Sequence, residues 1–301
     1  MAWSRVYNIP FSSQKYKFHL HGLSDLQIGS RSTIIDKIRM RIESILDDPE
    51  DSGVVIPGDI EDEDRPSTRV IRKAAFAGRE EVVERDAKKH MSYIKDKIIP
   101  VLLPLQKTKH GIMCILAGHH WTQLSSAINS AQFIAQELTR QSGRLVPYLG
   151  HMSAWMDLRF RPGGGNGNGT VRHIVHVQHG VGGGNARGSA LRKLDLAAHG
   201  FHADSYIRGH DCQIEAAKID QLYPKKSDEL NPDIMARTIG FLNLGAATQG
   251  YEKTRGAPAY PEEKMMRPSA MDWGTLKLTV RRARKWEDPS ENFKVDQRIE
   301  I

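Results

Sequence analysis

Short apolar runs alternate with amphipathic stretches along the chain, and small or polar residues punctuate the ends of the runs. Tyr16, Phe18 and Leu20 recur at a period of two and predict a strand over 16–26. Ile34, Ile35, Ile38, Ile42, Ile45 and Leu46 form one apolar stripe at helical spacing, with Ser32 or Thr33 as its cap and Pro49 just beyond its end. A buried strand follows at 54–56 and runs into Gly58-Asp59. A long helix is expected over 67–97, stopped by Pro100 and Pro104. Further strands are expected at 112–116, 145–160, 171–178 and 205–208, with helices at 124–139 and 190–199. Beyond about Asn231 the pattern reads as irregular until a strand at 275–281.

Strand alternating with helix indicates an α/β sheet. Within that pattern Asp25, Asp59, His119, His179 and His210 each fall at or just after the C-terminal end of a predicted strand. The carboxyl edge of an α/β sheet is where ligand sites assemble. Carboxylates and imidazoles gathered there suit a divalent metal centre for phosphoryl chemistry. Two cations about 3.5–4 Å apart neutralise phosphate charge and activate water. Such ligands favour manganese, iron or zinc over calcium.

Composition narrows the setting. A net charge of +7 favours anionic partners, nucleic acid among them. The two cysteines, Cys114 and Cys212, make a disulfide framework improbable. The start, Met1-Ala2-Trp3-Ser4-Arg5, lacks the apolar core of a signal peptide, and no run is long enough for a membrane span. The expectation is a cytoplasmic protein without a membrane partner.

Ser24-Asp25-Leu26-Gln27, Gly58-Asp59-Ile60-Glu61-Asp62, Gly118-His119-His120, His179-Gly180 and Gly209-His210-Asp211-Cys212 stand in a fixed order. In that order they resemble the motifs of the calcineurin-like metallophosphoesterases. The resemblance covers roughly 16–215 and extends, more loosely, to a subgroup often encoded by bacteriophages. It implies a four-layer αββα metallophosphoesterase sandwich over 16–280, with an N-terminal extension at 1–15 and a basic C-terminal tail at 281–301. It also implies one or two divalent ions, manganese foremost and iron or zinc as alternatives. Asp25 and Gln27 would hold the first ion, Asp59 would bridge, and His119, His179 and His210 would complete the second site. His120 would assist the leaving group, and Asp62 would support its loop. The implied activity is hydrolysis of phosphodiester bonds in DNA or RNA by a metal-activated water.

Three residues depart from the family pattern. Gln27 and Cys212 replace histidines at the first metal, which leaves that site weak, altered in metal preference or empty. Trp121 replaces the acidic residue after His120, which removes the usual orienting partner. These departures keep open a catalytically silent binding or scaffold protein, and a small-molecule or protein phosphatase is a third reading. His176 rivals His179 as ligand, and Cys212 stands between ligand and bystander. His19, His21 and His173 read as strand or core residues, and Cys114 as a small core residue. The glycines of 163–169 read as a hairpin connection. Gly182-Gly183-Gly184, with Arg187 and Arg192, precedes a helix whose N-terminus suits an anion. The basic run 281–285 is the candidate for an added nucleic-acid contact.

Overall fold

The computed structural model describes residues 4–12, 15–30, 32–62, 80–163, 169–180, 188–224, 234–248, 272–284 and 292–301. Among the described residues, eleven strands form two sheets. The first contains β1 (Ser4–Phe11), β5 (Ser153–Pro162), β6 (Val171–Gln178), β7 (Ser205–Arg208), β9 (Ile234–Asn243) and β8 (Glu215–Pro224), in that spatial order. The second contains β11 (Phe293–Glu300), β10 (Thr275–Arg282), β2 (Lys15–Gly22), β3 (Asp51–Ile56) and β4 (Ile112–Ile115). The sheets pack face to face: Phe18 of β2 meets Phe160 of β5 edge-on, 5.8 Å between ring centroids. Leu20, Val54, Ile56, Leu158 and Val177 are fully buried in the same core.

Helices cover both outer faces. On the second sheet lie α1 (Ile35–Leu46), α2 (Glu80–Tyr93), α3 (Ile99–Leu102) and α4 (Ser130–Ser142). The stripe predicted for α1 buries Ile38, Ile42 and Ile45. Asn129 caps α4 by accepting the Gln132 amide at 2.8 Å, and Gly143 closes it at φ 70°. On the first sheet α5 (Ser189–Gly200) seats Leu194 against Tyr206, Ile239 and Phe241. The expected αββα sandwich is thus the observed one. Among the described residues no helix is long and apolar enough to cross a membrane.

Several expectations are corrected. Pro100 and Pro104 do not end the helical path. After α2 it continues as a π-helical turn (Ile94–Ile98), then α3, then a 3-10 turn (Leu103–Lys107), with each proline in the first turn of a new segment. There its missing N–H costs nothing. The region after 231 is not irregular throughout, because β9 pairs with both β7 and β8. Part of the segment read as an extension is strand β1, whose Tyr7, Ile9 and Phe11 turn inward. Pro10 is tolerated because β1 lies at an edge. Part of the segment read as a basic tail is strand β11, paired antiparallel to β10.

Gly182, Gly183, Gly184, Arg187, Lys285, and 67–79 of the expected long helix lie outside the described residues. So do 164–168 of the glycine-rich connection, which joins two antiparallel strands as expected of a hairpin. The N-terminus of α5 is already occupied: the Glu215 carboxylate accepts the amides of Gly188 at 2.9 Å and Leu191 at 3.3 Å. That anion is the chain's own, and it displaces the expected substrate contact at this helix end.

Candidate metal centre

The loops that leave β2, β3, β4, β6 and β7 converge at one edge of the sandwich. They are tied by backbone bonds from Gln27 N–H to the Asp59 carbonyl at 2.9 Å, from Asp59 N–H to Ala117 at 3.2 Å, and from Gly209 N–H to Gln178 at 3.1 Å. Among the described residues, the non-glycine positions with left-handed backbone are Asp25, Gln27, Asp59, His210 and Cys212, at φ 44–81°. All five lie in these loops. Each such conformation costs on the order of 1 kcal/mol or more and persists only where surrounding structure imposes it. Strain concentrated this way marks a site.

Asp59, His119, His179 and His210 form one group, each offering a ligand atom within 4.8 Å of the others. Asp59 is 1% exposed. Its Oδ1 accepts the amides of His119 at 2.6 Å and His120 at 2.9 Å, and its Oδ2 lies 3.1 Å from His179 Nε2. Burial alone would raise the Asp59 pKa. The bond and charge of His179, with His120 beside it, hold the carboxyl below its ordinary value instead. His179 is fully buried, and its Nδ1 is fixed by the Pro57 carbonyl at 2.8 Å. That contact makes Nδ1 a donor and turns Nε2 toward Asp59, where the carboxylates of Asp59 and Asp25 favour a proton that a metal ion would replace. The Nδ1 atoms of His119 and His210 stand 3.2 Å apart. Two nitrogens bound to one zinc-sized ion at about 2.0–2.1 Å would be separated by about 3.3 Å. Burial and the neighbouring imidazoles push His210 down to about 4 and lower His119 as well, so both are neutral, as ligands must be. The buried His179 Nε2, the ring spacing and the Asp59 carboxylate together fit a divalent ion.

Asp25 and Cys212 stand outside that group. Asp25 Oδ2 accepts Ser24 Oγ at 2.5 Å and the His210 amide at 2.8 Å. Burial, opposed by His179 and reinforced by Asp59, raises its pKa. Cys212 Sγ lies 3.6 Å from the His210 carbonyl, and burial with Asp25, Asp59 and Asp211 nearby keeps the thiol protonated. Gln27 is placed through its backbone, its carbonyl accepting Thr33 Oγ1 at 2.5 Å.

His120 has an orienting partner after all. Its Nδ1 lies 3.2 Å from Asp62 Oδ1, while its Nε2 lies 3.8 Å from Asp59 Oδ2. The bond to Asp62 outweighs burial and raises His120 to about 9. Asp62, expected only to support its loop, supplies that partner, and Trp121 packs instead on the His151 ring, with centroids 5.2 Å apart. His176 lies away from the centre, among Trp155, Phe201 and Tyr206. His173 is bonded to Ser205 Oγ at 2.8 Å, as a satisfied core histidine should be.

Two supports escaped the sequence reading. Buried His90 of α2 meets Glu61 at 2.8 Å and braces the loop between Asp59 and Asp62. Buried Arg208 pairs with Asp211 at 3.2 Å beneath His210. The charged residues flanking Asp59 and His210 were the available signal.

No family's sequence profile matches the chain, and no curated protein matches it. Among solved structures, it is similar to Vps29 complexed with zinc from Entamoeba histolytica, with 11% identity, 93% of this chain and 98% of that one covered, and TM-score 0.30. It is also similar to the calcineurin-like phosphoesterase YfkN from Bacillus subtilis, with 10% identity, 95% and 91% covered, and TM-score 0.37. GAP50, the anchor in the inner membrane complex of Plasmodium, matches with 12% identity, 95% and 90% covered, and TM-score 0.37.

Proposed function

We propose that the chain is a metal-dependent phosphoesterase hydrolysing phosphodiester bonds, with nucleic acid as its substrate class. The observation that carries this reading is the convergence of Asp59, His119, His179 and His210 beside a positively charged His120. Those four would hold the ion, with Asp25 and Gln27 at its flank. A divalent ion so bound neutralises phosphoryl charge and lowers the pKa of a water. The protein supplies the rest. Asp59 is anchored through Oδ1, which leaves Oδ2 for the centre. Asp62 orients the His120 ring, so that Nε2–H faces the site and can be given to the departing oxygen. The net charge of +7 favours a polyanionic substrate.

One observation favours a second reading, a scaffold that has kept the fold. Asp25 and Cys212 stand outside the four-residue group, and Gln27 is a neutral ligand, so a first ion has few ligands gathered for it. Hydrolysis of bis-(p-nitrophenyl) phosphate with added manganese, in wild type and Asp59→Asn, separates the two. Activity that requires manganese and Asp59 supports the enzyme. Its absence on this ester, on DNA and on RNA leaves the scaffold. Activity on nucleotides but not polymers assigns a small-molecule phosphatase.

A further inference from the structure

We propose a second, separate metal site of zinc type, built from His19, His21 and Asp48. A period of two places His19 and His21 on the same face of β2. That face is the outer one, because Phe18 and Leu20 point into the core between the sheets. Asp48, just past the end of α1, reaches over the same face. Among the described residues, these three side chains form a second group of ligand atoms lying within 4.8 Å of one another.

One carboxylate oxygen gathers a ring nitrogen from each histidine. Asp48 Oδ2 lies 2.6 Å from His19 Nδ1 and 3.1 Å from His21 Nε2. His19 satisfies its contact by donating a proton. His21 is 4% exposed, and its Nε2 has no hydrogen bond. Its Nδ1 meets Thr275 Oγ1 at 3.0 Å. In the tautomer with Nδ1 as the donor, a lone pair on Nε2 faces the carboxylate oxygen; in the other, Nε2 holds a proton that a cation would replace. A cation between the two atoms turns either contact into coordination. Thr275 and the Glu50 amide, which holds the other Asp48 oxygen at 3.0 Å, are the outer contacts that fix such ligands.

Two imidazoles and one carboxylate suit zinc better than calcium or magnesium. The remaining position opens into a cleft of about 380 Å³ between α1 and the β2–β10 face. Arg41 shares this cleft and opposes a cation, Asp48 and Asp272 act against its charge, and Lys17 and Lys277 at the rim are each paired, with Glu50 and Glu300. Binding releases the proton shared by His19 and Asp48.

The site does not depend on the proposed catalytic reading. Zinc alone is titrated calorimetrically into an Asp59→Asn/His179→Ala protein, with circular dichroism as the folding check. One equivalent should remain. Adding His21→Gln or Asp48→Asn should weaken it at least tenfold, and absorption spectroscopy at the zinc edge should report two imidazoles. Retained affinity after both substitutions, or no zinc bound, overturns the proposal. Should the double variant misfold, native mass spectrometry of the otherwise unaltered chain decides. His21→Gln must then remove one zinc, and an unchanged count overturns the site.

Discussion

Asp62 Oδ1 lies 3.2 Å from His120 Nδ1, and this contact decides what the histidine can do. A half-exposed imidazole would ordinarily titrate near about 6.5 and be mostly neutral at neutral pH. Against Asp62, with burial opposing and Asp59 and Asp25 assisting, it rises to about 9 and keeps both protons. The protonated form therefore exists below this value and is lost as pH climbs through it. A bound cation nearby would pull the value down, which makes the carboxylate more necessary.

Asp62→Asn should accordingly move the alkaline limb of the pH–rate profile to lower pH. With a poor leaving group, His120→Ala should cost about 10²–10⁴-fold, the usual contribution of a general acid. Asp62→Asn should lose part of that. With p-nitrophenolate, which leaves without a proton, both variants should lose far less. Equal losses on the two classes of leaving group would show that His120 acts only in binding.

Asp59→Asn should abolish binding at the main centre, because the amide cannot supply the charge that faces His179. His179→Ala should do the same by removing the buried nitrogen that faces Asp59. Manganese or zinc uptake, measured by elemental analysis after dialysis, should fall by one equivalent in each variant while the far-ultraviolet dichroism is kept. Full uptake in both would remove the basis of the centre.

The candidate ligand positions are legible because they follow strands whose apolar runs are short and sharply ended, as at Val54–Ile56 before Asp59 and Val171–Gln178 before His179. What was hidden depended on pairing across the chain. The edge strand β8 leaves Ile219 and Leu222 exposed among Lys218, Asp220 and Gln221, so its sequence carries little burial signal. β9 gains its place from β7 and β8 rather than from its own pattern. The role of Asp62 is invisible in sequence, since its partner is brought to it by the β4 loop. His19 and His21 were correctly read as strand residues, but nothing along the chain announces that Asp48 closes over them.

His176 predicts an acid weakness. It is fully buried among Trp155, Phe201 and Tyr206, neither ring nitrogen has a hydrogen bond, and burial lowers its pKa to about 4. The unfolded chain, titrating near about 6.5, binds the proton first. Stability is therefore full above that value and falls as pH drops toward 4, by up to about 1.4 kcal/mol per pH unit for one proton. His176→Phe should narrow the gap between urea midpoints at pH 7.5 and pH 5. The same gap in wild type and variant would assign the acid sensitivity elsewhere.

Gly118 and Gly143 give a matched pair that separates backbone strain from damage to the centre. Both have left-handed backbone, at φ 77° and 70°, so alanine at either should cost roughly 1 kcal/mol from conformation alone. At Gly143 an added Cβ meets nothing within 4 Å. At Gly118 it would strike Asp59 Oδ1 and approach the Asp59 amide to 2.6 Å. That is the oxygen held by the amides of His119 and His120. Gly118→Ala must therefore push the Asp59 carboxylate and the His119 loop apart. It should weaken metal binding at the main centre at least tenfold, while Gly143→Ala leaves metal affinity untouched. Calorimetric titration of both variants, beside their urea midpoints, checks this. Equal metal affinity in the two would mean that the carboxylate does not need the position that Gly118 leaves open for it.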